Sequence, residues 1–224
     1  MYLCRMKRKL WGYVIFFVVL SVVFLVAVFA GTDNWKAKSP AISYVRPFTF
    51  TNQDGKTFTE HNMQGKVCVV NYFFTTCKGI CPRMNNNIHK IYDAFKDEPD
   101  FMIVSHTSDP EVDSAAKLKR YADSMKVDEK KWVFLTGRKD SLYQAARTSY
   151  LLDDPKNSVV NIDDQFLHTQ FVALVDKDGQ VRGQIYDGLK ENDLKKLQDD
   201  IATLLKEKPG KNGFAGSIFT NNPQ

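Results

Sequence analysis

The stretch VCVVNYFFTTCKGICPRMN, residues 67–85, decides the architecture of the chain. Val67 to Phe74 is a continuous run of β-branched and aromatic side chains, the composition of a strand buried on both faces. Behind it, Pro82 suits the first turn of a helix, and Met84, Ile88, Ile91 and Phe95 recur at helical spacing. A helix is therefore expected over Cys81 to Phe95, with Cys77 and Cys81 at the junction of strand and helix.

Further along, apolar patterning predicts strands at Phe101–Thr107, Trp132–Leu135, Gln170–Val175 and Val181–Tyr186. Helices are expected at Ser114–Met125, Ser141–Ser149 and about Glu191–Lys206. The last two strands are separated by Asp-Lys-Asp-Gly-Gln, residues 176–180. This reads as a hairpin turn rather than half of a calcium loop, because the third acidic ligand and the closing Glu are missing. Strands alternating with helices, closing on a hairpin and a helix, give an α/β sheet of thioredoxin-like topology over residues 42–206.

Upstream, Leu10 to Ala30 contains no charged side chain, and as a helix it would span about 31 Å, close to the thickness of the bilayer hydrocarbon. It reads as a single transmembrane anchor. Arg5, Lys7, Arg8 and Lys9 precede it and the first acid, Asp33, follows, so residues 1–9 are expected in the cytoplasm and the domain outside. Val28-Phe29-Ala30 also resembles a signal-peptidase site. The apolar run is longer than the 7–15 or so residues usual in a signal peptide, which favours retention, and the lack of a transit peptide favours a bacterial inner membrane. Residues 31–41 read as a polar linker and residues 207–224 as a flexible tail.

The net charge of +5 is mostly that N-terminal cluster. The other 215 residues carry only +1 and show no basic stripe with interleaved aromatics, so a nucleic-acid partner is set aside.

Of the four cysteines, Cys4 precedes the anchor and reads as incidental, and Cys68 lies within the apolar strand as a small hydrophobe. Cys77 and Cys81 differ. Four residues apart across a helical turn, they fall on one face, near enough for a disulfide or for two ligands on one metal. Cys81 is expected to be a thiolate stabilised by the helix N-terminus, with Lys78 and Arg83 adding positive charge. A purely structural disulfide is the competing reading, though so short a loop constrains little of the unfolded chain.

A third group is needed to choose between redox and metal chemistry. Thioredoxins usually place a cis-proline before the strand that faces their cysteines, whereas DQFLHTQF, residues 164–171, offers His168 there. Two thiolates and an imidazole suit Cu(I), and one added oxygen would accommodate Cu(II); zinc would want a fourth strong ligand. Asp109 could supply that oxygen or orient His168, and a turn or helix-capping role for its Asp-Pro pair is an equal alternative. His61 and His89 carry weak signals, and His106 is expected to be a hydrogen-bonded histidine at the end of the second strand.

These residues resemble the Sco/SenC copper chaperones of cytochrome oxidase assembly. The likeness rests on FFTTCKGICPRMN, on Ser108 to Asp113, on WVFLTG at 132–137, on His168 before a strand, and on LVDKDGQVRG at 174–183. It runs from about Ala41 to Lys206 and extends to the single N-terminal anchor. It implies one copper held by Cys77, Cys81 and His168, with delivery to the copper-A centre of cytochrome c oxidase subunit II, or reduction of that centre's cysteines, and a thiol reductant as a further partner. His106 departs from the pattern, since many members have an aliphatic residue there. The alternative class is a thiol-disulfide oxidoreductase or thiol peroxidase, with Cys77 attacking and Cys81 resolving.

Overall fold

The computed structural model describes residues 2–29, 40–153, 167 and 169–210. The chain divides into two units, residues 1–38 and 39–224. The described residues of the first form one helix, α1 (Tyr2–Phe29), whose residues 11–26 are all exposed. Among the described residues no helix is long and apolar enough to cross a membrane. Ala30, the last residue of the expected anchor, and residues 31–39 of the expected linker lie outside the described residues.

The second unit is built on one mixed sheet. Its strands are β1 (Ala41–Tyr44), β2 (Thr49–Asn52), β3 (Thr57–Thr59), β4 (Val67–Phe73), β5 (Phe101–Thr107), β6 (Trp132–Thr136), β7 (Phe171–Val175), β8 (Gln180–Arg182) and β9 (Tyr186–Asp187). Its helices are α2 (Ile80–Phe95), α3 (Ala115–Met125), α4 (Lys139–Thr148) and α5 (Glu191–Lys206). The strand order is β1-β8-β7-β4-β5-β6-β2-β3, with β9 also paired to β7. The centre is β4, parallel to β5 and antiparallel to β7.

All seven residues of β4 are buried, as its unbroken apolar sequence requires, and the strand's two-residue period divides them between two cores. Cys68, Val70 and Tyr72 pack with Leu142, Tyr143 and Ala146 of α4. Val67, Val69 and Phe73 pack on the other face with Ile88 and Ile91 of α2, Leu118 of α3, and Leu197 and Ile201 of α5. Full burial of each large apolar side chain contributes about 1.5–3 kcal/mol, so these two layers carry most of the stability.

Three features differ from the sequence expectation. Strands β1 to β3 are short and sit toward the sheet edges, where polar residues are tolerated; β2 and β3 turn at Gly55 (φ +74°), with the Asn52 side chain accepting the N–H groups of Asp54 and Lys56. The single strand expected over Val181–Tyr186 is broken into β8 and β9 by Gly183, at φ +77°. A Cβ there would lie 2.7 Å from the Tyr186 hydroxyl oxygen, so glycine is required both for the backbone and for the close approach. Of the expected tail only residues 207–210 are described, and there the Gly210 N–H donates to the Asp178 carboxylate at 2.8 Å; residues 211–224 lie outside the described residues.

The turn at residues 176–180 is the expected hairpin. Gly179 takes φ +80°, and the Asp176 side chain accepts the N–H groups of Asp178 and Gln180.

Candidate metal centre

Strands β4 and β5 are parallel, so their carboxyl ends share one edge of the sheet; β7 runs the other way, which brings its amino end to that edge. Three segments therefore meet there: the turn from β4 into α2, the loop after β5, and the approach to β7. Such an edge is where α/β sheets place ligands.

The turn closes where the Cys77 N–H donates to the Phe74 carbonyl at 3.2 Å. Helix α2 starts at Ile80 after Gly79, so Cys77 precedes the helix and Cys81 is its second residue. Cys77 is half-buried and Cys81 is 3% exposed, and neither is bridged by a disulfide. Their sulfurs are hydrogen-bonded to each other.

The charge distribution on this pair corrects the sequence expectation. Burial works against a Cys77 thiolate, but hydrogen bonds from the Cys81 thiol and from the backbone N–H groups of Cys81, Gly79 and Ile80 outweigh it, and the Cys77 pKa is lowered. Burial pushes the Cys81 thiol up to about 12, and its bond to Cys77 adds to the rise. Of the two thiols, Cys77, outside the helix, is therefore the one biased toward ionising, because the free N–H groups of the first turn point beyond the helix end. Lys78 and Arg83 are both exposed to solvent.

His168 lies outside the described residues, and its two neighbours are fixed at the same edge. The Tyr143 hydroxyl donates to the Ser108 carbonyl at 2.9 Å and accepts the Leu167 N–H at 2.9 Å, tying the approach to β7 onto the loop after β5. On the other side, the Thr169 hydroxyl oxygen accepts the Phe171 N–H. Among the described residues no three His, Cys, Asp or Glu side chains form a metal-holding group, so the cysteine pair is the described part of the predicted set.

Asp109 is half-buried in the loop after β5. Its carbonyl accepts the N–H groups of Val112 and Asp113, and its own N–H donates to the Thr107 hydroxyl. These are turn bonds made by its main chain.

His106 departs most from expectation. Its side chain is fully buried and neither ring nitrogen has a hydrogen-bond partner among the described residues. The imidazole stacks on Tyr72 with centroids 4.9 Å apart, and Tyr150, Phe50 and Phe48 surround it at 5.2, 5.6 and 6.1 Å. The strand's alternation directs residue 106 into the α4-side core rather than toward the edge.

The other candidates follow their blander readings. His61 is exposed beside Glu60, and His89 pairs with Asp93 and the Met125 carbonyl. Cys68 is fully buried, and burial pushes its thiol up to about 12, which keeps it inert. The side chain of Cys4 lies outside the described residues. Two roles are not read from the sequence: that of Tyr143, which joins two segments of the edge, and that of Asp113, which grips the cysteine turn and reads in sequence only as the end of the Ser108–Asp113 segment. Both residues look like ordinary helix-side and loop residues when only local patterning is read.

A family model described as SCO1/SenC matches residues 36–206. The SCO1 protein homolog of Bacillus subtilis (strain 168) is 32% identical over 175 residues, covering 75% of this chain and 88% of that protein. The solved structure of BsSco, described as a member of the Sco family of cytochrome c oxidase assembly proteins with a disulfide switch, is 30% identical with a TM-score of 0.63. That match covers 76% of this chain and 99% of BsSco. The fold is also shared with yeast Sco1 with copper bound, at 24% identity and a TM-score of 0.53, over 73% of this chain and 94% of the yeast structure.

Proposed function

The chain belongs to the SCO1/SenC family, and from that premise we propose that it is a copper-binding assembly protein whose Cys77, Cys81 and His168 hold one copper ion. The observation that carries this reading is the hydrogen-bonded thiol pair at the sheet edge, with the two residues flanking His168 held at the same edge. Two soft sulfur donors one helical turn apart, one of them already biased toward thiolate, suit Cu(I) and are a poor match for hard oxygen-seeking ions. The imidazole would complete the set, and the Asp109 carboxylate would supply an oxygen or orient that imidazole when Cu(II) is carried.

Copper is cargo here. A partner domain docking at the exposed edge takes the ion by stepwise exchange of ligands; the proposed recipient is the copper-A centre of cytochrome c oxidase subunit II. A thiol reductant keeps Cys77 and Cys81 open for reloading. The charge-free segment Leu10–Ala30 behind four basic residues supports a single-pass anchor in a bacterial inner membrane, with the domain on the outer side. Confinement to the membrane plane would raise the effective concentration at a membrane-bound oxidase. Full-length protein should resist alkaline carbonate extraction from membranes, and its release with the peripheral fraction would remove the anchor from the proposal.

The reduced protein is expected to bind one copper per chain, and His168→Ala should weaken Cu(II) more than Cu(I), because two thiolates alone retain the softer ion. Competition titrations against chelators for each oxidation state read this directly. Unchanged affinity for both ions would remove His168 from the ligand set, and equal losses would overturn the expected preference for Cu(II).

One observation favours a second reading. A partly exposed Cys77 of lowered pKa beside a buried, protonated Cys81 is also the arrangement of an attacking and a resolving thiol. Multiple turnovers on a model disulfide by the metal-free protein, with a small-molecule dithiol supplied to re-reduce the Cys77–Cys81 pair after each cycle and with inhibition by copper, would favour an oxidoreductase.

A further inference from the structure

We propose that Asp113 is a positioning residue for the cysteine turn, and that its carboxylate sets both sides of the copper site; the copper clause rests on the reading above. The Asp113 side chain is fully buried. A buried carboxylate is costly unless each oxygen is paired, and here each oxygen has partners. One oxygen accepts the Thr75 N–H at 3.0 Å and the Thr107 hydroxyl at 2.7 Å. The other accepts the Thr75 hydroxyl and lies 3.4 Å from the Lys117 ammonium.

The partners give these bonds their meaning. Thr75 is the second residue of the turn that the Cys77 N–H closes on the Phe74 carbonyl. Asp113 holds that residue by both its backbone and its side-chain donor, which leaves the turn one conformation and fixes where the Cys77 sulfur lies relative to the N–H groups of Gly79, Ile80 and Cys81. Thr107 carries the constraint to the opposite wall: its hydroxyl donates to Asp113 and accepts the Asp109 N–H at 3.0 Å. The same loop is sewn to β4 where the Ser108 N–H donates to the Phe73 carbonyl at 2.7 Å. One carboxylate therefore registers the cysteine turn against the loop that carries Asp109. Lys117 lies one helical turn along and balances its charge.

The test uses the reduced full chain in detergent micelles, with Asp113→Asn, Thr75→Val and Thr75→Ser. Thr75→Val keeps the volume and loses the hydroxyl at a half-buried site, so it folds even where Asp113→Asn does not; Thr75→Ser restores the hydroxyl. Three quantities are read: the thermal midpoint, amide hydrogen exchange at Cys77 and Gly79 in the copper-free chain, and Cu(I) affinity by chelator competition. Loss of a hydrogen bond to a charged group should speed exchange in the turn and weaken Cu(I) by about tenfold each in Thr75→Val, with Thr75→Ser close to the parent. A lowered midpoint with unchanged exchange and unchanged affinity makes Asp113 a stability residue only and overturns the proposal. A parent chain that takes up no Cu(I) overturns the copper clause instead, and exchange in the turn then decides whether the clamp exists.

Discussion

Cys77→Ser is expected to weaken Cu(I) binding by about a thousandfold or more, roughly 4 kcal/mol, and Cys81→Ser by a similar factor. A serine hydroxyl is a hard donor and stays protonated, so each substitution removes a thiolate from a two-sulfur site. The two variants should nonetheless differ in how their residual affinity depends on pH. Copper binding displaces the protons of its ligands, and the proton of Cys81 is the tightly held one, its thiol pushed up to about 12 by burial. The Cys77 thiol is lowered and gives up its proton more readily. In the parent protein, Cu(I) affinity should therefore rise by close to tenfold per pH unit from the Cys81 proton alone across the neutral range, and that contribution disappears in Cys81→Ser. Chelator-competition titrations at several pH values measure both effects. Unchanged affinity in Cys77→Ser would sink the copper reading, and equal pH slopes in the parent and Cys81→Ser would sink the assignment of the displaced proton.

The core of the fold was legible because its signals are local. Val67–Phe73 needs no partner to announce a doubly buried strand, and α2, β5, α3 and α5 lie within a residue or so of where apolar spacing and Ser114, Pro82 and Glu191 put their ends. β1 to β3 were not legible, since three or four residues of mixed polarity become strands only when a neighbouring edge offers them hydrogen bonds. The site divides in the same way. The four-residue spacing of Cys77 and Cys81 is a local fact, whereas the allocation of the thiolate depends on where the N–H groups of Gly79 and Ile80 point. Asp113 and Tyr143 act on segments 38 and 24 residues away, and nothing in their own neighbourhood records those contacts.

The second large effect is acid sensitivity arising from His106. Its side chain is buried among Tyr72, Tyr150, Phe50 and Phe48, with both ring nitrogens unpartnered among the described residues. Burial in this cage holds its pKa down at about 3, against an ordinary value of 6.5. Tyr72 and Tyr150 are themselves pushed upward by burial, so the faces around the imidazole stay neutral through the acid range and give an imidazolium no counter-charge. Between pH 6.5 and about 3 the unfolded chain binds a proton at this position that the folded chain does not. The stability that a neutral His106 permits is complete above 6.5 and falls by roughly 1.4 kcal/mol per pH unit below it, several kcal/mol in all before the folded form protonates. His106→Leu keeps nearly the same volume, removes two unsatisfied polar atoms and removes the titration. It should raise stability at pH 7 by about 1–3 kcal/mol and make the loss between pH 6.5 and 4 shallower by roughly 3 kcal/mol. Urea unfolding of both proteins at pH 7, 6, 5 and 4 gives the two curves. Parallel curves would mean that the imidazole finds a proton acceptor or water in the folded protein, and a less stable His106→Leu would mean that its nitrogens hold the cage together.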